Sequence, residues 1–103
     1  MGNPRLEFDT DYETVAASQS DQVLGGAGKA GDILERLVIT VGTAATAAVS
    51  IKDGGGSAIP IFPNSPGGGI GTYFVDIGAR SVSGGWKVTT GAGSTVLAIG
   101  KFT

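Results

Sequence analysis

Residues 22–41, "QVLGGAGKAGDILERLVITV", decide the kind of fold this chain can adopt. Gly26, Gly28 and Gly31 spell G-x-G-x-x-G, the glycine pattern of a dinucleotide-binding loop, and Asp53 follows as a possible ribose-binding acid. The pattern works only where a helix leaves the glycines, because the pyrophosphate rests on that helix's first amides. Here Asp32 follows Gly31 directly and puts a carboxylate where phosphate would sit. The next run carries two periodicities. Ile33, Leu34, Leu37, Val38 and Val41 would stripe a helix, whereas Leu37, Ile39 and Val41 would line one face of a strand. The β-branched ending "VITV" favours the strand. The glycines then form a turn, and nucleotide binding loses its structural context. A P-loop fails as well: Gly28-Lys29 is followed by Ala30, and Val23 stands where that motif's first glycine belongs.

Outward from this stretch, short apolar runs alternate with glycine-rich turns. They are Val15 to Ala17, Gln22 to Leu24, Ile33 to Val41, Ala47 to Lys52, Ala58 to Phe62, Tyr73 to Ile77, Trp86 to Thr90 and Thr95 to Phe102. That spacing predicts an all-β fold: a single small antiparallel β-sandwich, jelly-roll-like, of about eight strands. Its expected core includes Leu37, Ile39, Val49, Ile51, Trp86 and Val88, each on the apolar side of an alternating run. Trp86 reads as a buried anchor, since Trp86, Val88 and Thr90 share one face and Lys87 and Thr89 the other. "VITVGTAATAAVSIKD" and "KVTTGAGSTVLAIGKF" echo each other, and each is expected to form a hairpin. Prolines at 60, 63 and 66 with three glycines at 67–69 predict an exposed loop over residues 60–71.

The N-terminus has its own pattern. In "PRLEFDTDYETV", Leu6, Phe8, Thr10 and Tyr12 alternate with Glu7, Asp9, Asp11 and Glu13. Like charges at period two repel along an isolated strand, so the segment suits docking on a partner with its apolar side down. Residues 1–12 are therefore read as an extended N-terminal arm and residues 13–103 as the sandwich domain.

Composition narrows the chemistry. The chain of 103 residues has no cysteine and no histidine, which removes thiolate metal sites, disulfides and the commonest general base. Net charge is −2 with basic residues scattered singly, so no nucleic-acid surface is expected. No run is long and apolar enough to predict a membrane span. Asp9, Asp11 and Glu13 resemble the start of a calcium loop, but Thr14 replaces its turn glycine and Ser20 its final acid. Asp21, Asp32, Asp53 and Asp76 lie beside turns, where aspartate caps backbone amides. No S-x-x-K supplies a lysine base for a serine nucleophile. Neither an enzyme nor a cofactor is expected. Arg80 is expected to pair with Asp76 or a neighbouring chain.

"YETVAASQSDQVLGGAGKAGDIL" (12–34) and "GARSVSGGWKVTTGAGSTVLAIG" (78–100) resemble small β-sandwich proteins of tailed bacteriophages, the capsid decoration or cement proteins. The likeness spans roughly residues 12 to 103 and is densest around Val15 to Leu24 and Arg80 to Val96. It implies a jelly-roll-like homotrimer on the outer capsid surface of a virion, bound to the phage major capsid protein. Arg5, Leu6, Phe8, Asp9, Asp11 and Tyr12 of the arm are the expected capsid contacts. Two other roles for the same sandwich are a carbohydrate-binding module of a phage tail or fibre, using loop 60–71 and Tyr73, and a head-tail completion protein assembling as a ring.

Overall fold

The computed structural model describes residues 10–63 and 69–103. Eight strands run in chain order: β1 (Asp11–Val15), β2 (Gln22–Val23), β3 (Ile33–Val41), β4 (Val49–Asp53), β5 (Ile59–Phe62), β6 (Gly71–Arg80), β7 (Trp86–Thr90) and β8 (Ser94–Lys101). They form two antiparallel sheets, sheet A in the order β1-β8-β3-β6 and sheet B in the order β2-β7-β4-β5. First pairs with last, second with seventh, third with sixth and fourth with fifth. One long hairpin, centred on the β4–β5 turn and rolled over on itself, produces this nesting. It is the jelly roll. β1 lies at the edge of sheet A and takes up Asp11 and Tyr12, so the last two residues of the expected arm belong to the sheet.

The 22–41 stretch resolves as the pattern of its β-branched residues requires. Ile33–Val41 is a strand, and Leu34, Leu37, Ile39 and Val41 are buried. Both β6 and β8 shift register against β3 between Leu34 and Arg36. That irregularity explains the helix-like spacing: Leu34 and Leu37, three apart, reach the same core because Glu35 is the extra residue against β8.

The two echoing stretches are not hairpins. Residues 38–53 pass from sheet A to sheet B, and residues 87–102 pass back. They lie antiparallel side by side, β3 on β8 and β4 on β7, as the central strands of both sheets. Their corners interlock through the backbone: Gly42 N–H donates to Gly93 O (2.8 Å), Gly91 N–H to Ala48 O (2.7 Å) and Gly93 N–H to Thr46 O (3.1 Å). A side chain at Gly93 would run into the Thr43 carbonyl and one at Gly91 into that of Thr46. Both stretches turn a corner between the sheets, and the close approach of the two corners leaves no room for a side chain at positions 91 and 93.

Leu37, Ile39, Val49, Ile51, Trp86 and Val88 are all buried between the sheets, with Val15, Leu24, Leu34, Val41 and Val96. Each large side chain removed from water contributes about 1.5–3 kcal/mol. The Trp86 indole N–H donates to Asp32 O at 3.1 Å, so its one polar atom is satisfied inside the core. Pro60 sits in β5, at the edge of sheet B, where a missing donor leaves no ladder bond broken.

Candidate interaction surfaces

The acids that could have carried chemistry are occupied by this chain's own backbone and side chains. Asp32 is buried at one end of the sandwich and accepts from Lys29 N–H (3.1 Å), Thr103 N–H (3.1 Å) and the Thr103 hydroxyl (2.9 Å). Burial pushes its pKa up, but the Thr103 and Lys29 amides and the Thr103 hydroxyl outweigh this and hold it below the ordinary aspartate value. The amides of the glycine motif are filled as well: Ala27 N–H (2.8 Å) and Gly28 N–H (3.1 Å) both donate to Thr103 O. Gly28 takes a φ of +69°, and a side chain there would strike Val23. The phosphate cradle suggested by the glycines thus holds the end of β8's own chain.

Asp53 caps the β6–β7 turn through Val82 N–H (2.9 Å) and Ser83 N–H (3.0 Å). Asp21 meets Lys52 Nζ at 3.2 Å, and this hydrogen bond is the chief cause of its lowered pKa. Asp76 pairs with Arg36 Nε at 2.9 Å, which corrects the expected Arg80 partner. The reason is register: Arg36 stands directly opposite Asp76. Glu13 accepts from Gly25 N–H (2.8 Å) and Gln22 Nε2 (2.7 Å), and Asp11 from Phe102 N–H (3.1 Å). These two acids, expected to meet a partner's basic groups, instead bind backbone and amide groups of the same chain. Among the described residues no group of three potential ligands gathers to hold a metal. Among the described residues no helix is long and apolar enough to cross a membrane. Arg5, Leu6, Phe8 and Asp9 lie outside the described residues.

What remains unspent is surface. On the outer face of sheet A, residues directly opposite one another form rows across the strands. Tyr12, Ile99, Arg36 and Asp76 make one; Thr14, Leu97, Val38 and Phe74 make the next. Beyond the first lies a basic row, Lys101, Ile33 and Arg80; beyond the second a hydroxyl row, Thr95, Thr40 and Thr72. Tyr12 and Phe74 are each 72% exposed, and with Ile99, Leu97 and Val38 they span all four strands as one apolar band. The outer face of sheet B is polar by contrast. Lys87 and Lys52 stand opposite each other there, Thr89 faces Ser50, and Ser50 faces Pro60.

The two long sides of the sandwich differ too. Where β1 lies over β2, Val15 is buried and Glu13 ties the strands together. Where β6 lies over β5, Ile61, Phe62, Tyr73, Val75 and Ile77 are only half-buried and Ile59 is exposed. Phe62 and Tyr73 meet edge to face with centroids 4.9 Å apart, and the Tyr73 hydroxyl donates to Gly69 O at 2.6 Å. Tyr73 is therefore built into the sandwich rather than offered to a sugar. Among the described residues, the groove lined by Ser50, Pro60, Phe62, Pro63, Thr89 and Gly91 receives no carboxylate or carboxamide side chain of the kind that orients a glycan. Residues 64–68 of the expected loop lie outside the described residues.

Single-residue sequence reading passes over the apolar band of sheet A, yet a signal for it exists. β8 reads "STVLAIGK" and β6 "GTYFVDIGAR", apolar on both faces rather than alternating. A strand of that kind asks for cover on both sides. Comparison of the chain with known protein families and with curated proteins finds no match.

Proposed function

We propose that this protein is a structural virion component that decorates and stabilises the outside of a bacteriophage capsid, bridging neighbouring major capsid subunits as a trimer of jelly rolls with N-terminal arms. The observation that carries this reading is the apolar band of sheet A. Five large apolar side chains, Tyr12 at the head of β1 among them, lie across the four-stranded face, with Tyr12 and Phe74 exposed and Val38, Leu97 and Ile99 half-buried. Exposed apolar patches of this kind mark protein contacts. The basic row on one border and the hydroxyl row on the other supply a polar rim, as interfaces require.

Such a role needs no reactive group. It needs a rigid block, an adhesive face and several copies acting together, so that each contact after the first forms within an already bound particle. A molecule whose acids serve as its own backbone caps suits that role. Clamped shell subunits then cost more to separate, and the shell withstands more internal pressure.

Immunogold labelling of purified virions with antibody against this chain is the direct test. Label distributed over the shell is the expected result. Label confined to the tail, or absent from intact particles, overturns the proposal.

A further inference from the structure

The side of the sandwich that the fold leaves unfinished is the free edge of β6. It is the longest strand among the described residues, and there it pairs with β3 alone. Leu37 and Ile39 on β3 are fully buried, yet their opposite numbers Val75 and Tyr73 stay half-exposed. From Gly71 to Ile77 the edge contains no proline or lysine, the usual devices against pairing with another chain. Among the described residues no strand covers this edge of β6.

Resting on the oligomeric reading above, we infer that a second copy of this chain supplies that strand: its residues 5–10 add to the free edge of β6 as a fifth strand of sheet A. Side-chain pattern selects this occupant. Turned with Leu6 and Phe8 inward, the segment lays apolar groups beside Tyr73, Val75 and Ile77. Glu7 and Asp9 then fall on the outer face of sheet A, where β6 carries Arg80. Asp76, the one acid on that side of β6, is already paired with Arg36.

Length decides between the chain's own β6 and a neighbour's. β1 and β6 are opposite edges of sheet A with β8 and β3 between them. A strand beyond β6 lies about 19 Å from β1, at about 4.8 Å per strand spacing. Crossing that distance consumes about six residues at about 3.3 Å each, which are residues 5–10 themselves. The alternating residues are then spent on the crossing, and none of them is left to pair. On a neighbouring molecule the same segment arrives as a direct extension of β1. Arm to β6 is a head-to-tail contact, which builds a ring of copies where the rotation between neighbours closes. The arm then joins copy to copy, in place of the capsid contacts expected of Arg5, Leu6, Phe8 and Asp9, and the apolar band of sheet A meets the shell.

The chain has no cysteine, so Phe8→Cys introduces one attachment point for a benzophenone photocrosslinker in the full-length protein. With ¹⁵N-labelled and unlabelled copies mixed, the expected product joins residue 8 of one molecule to residues 71–77 of another. Crosslinks within one chain, or to other strands, overturn the inference. Leu6→Asp combined with Phe8→Asp should weaken self-association by about a hundredfold or more in sedimentation, with thermal melting of the sandwich unchanged. A double variant that associates like the parent overturns arm exchange, and so does a parent protein that is monomeric. Virion labelling reads the capsid proposal separately: unlabelled shells reject that proposal even where the crosslink forms.

Discussion

Where β1 lies over β2, the sandwich is sewn shut by carboxylates; where β6 lies over β5, it ends in half-exposed apolar side chains. The first margin gains directional bonds. Glu13 holds Gln22 and Gly25, Asp11 holds Phe102, and at the adjoining end Asp32 holds Lys29 and Thr103. Each of these bonds satisfies a donor that has left water, and each is complete within one chain. The second margin has Phe62 against Tyr73 and one hydroxyl bond to Gly69. Its remaining surface is apolar and non-directional. A margin closed by its own hydrogen bonds has little to offer a partner, whereas one closed by nothing gains free energy from any chain of matching alternation.

The contrast can be broken most forcefully at Asp32. Asp32→Ala strands the amides of Lys29 and Thr103 in a buried place and should cost about 3 kcal/mol of folding stability, measured by urea unfolding at neutral pH. The carboxylate also sets a pH dependence. Its folded pKa is depressed, so its contribution is fully present above the ordinary aspartate value and is lost as pH falls through the folded value. The parent should therefore lose stability in acid by an increment that Asp32→Ala lacks, and identical acid profiles would remove Asp32 from the account. A smaller effect is expected at Glu13→Ala, about 1–2 kcal/mol from the loss of its bonds to Gly25 and Gln22 at a half-buried site. Hydrogen exchange at the Gly25 amide should accelerate with it. On the open side, Tyr73→Phe removes only the bond to Gly69 and should cost about 1 kcal/mol or less in thermal denaturation. A Tyr73→Phe loss as large as that of Asp32→Ala would mean that both margins are closed in the same way.

The fold was legible in the chain because local pattern and final environment agree. Alternation in Ala47 to Lys52 and Trp86 to Thr90 marks which side chains meet the core, and Val49, Ile51, Trp86 and Val88 are buried there. The β-branched run at 38–41 outweighed a competing helical stripe, and a register shift at Glu35 accounts for that stripe. Of the four aspartates read as turn caps, Asp32 and Asp53 fill that role, whereas Asp21 pairs with Lys52 and Asp76, inside β6, with Arg36. The interaction surfaces were less legible. Val38, Leu97, Phe74 and Tyr12 are far apart along the chain, and only cross-strand register makes them neighbours. The Asp76 partner was missed for the same reason.

The sequence by itself determined that this chain forms strands, where they turn and which side of each is apolar, because these follow from period-two alternation, β-branching and the backbone freedom of glycine. Only the tertiary structure decided which strands became neighbours. It made the echoing stretches interlocked corners between sheets, placed Thr103 in the glycine turn, and left one face and one edge uncovered. Those outcomes depend on contacts between residues distant along the chain, set when the long hairpin rolls up, and no short window of sequence contains both partners.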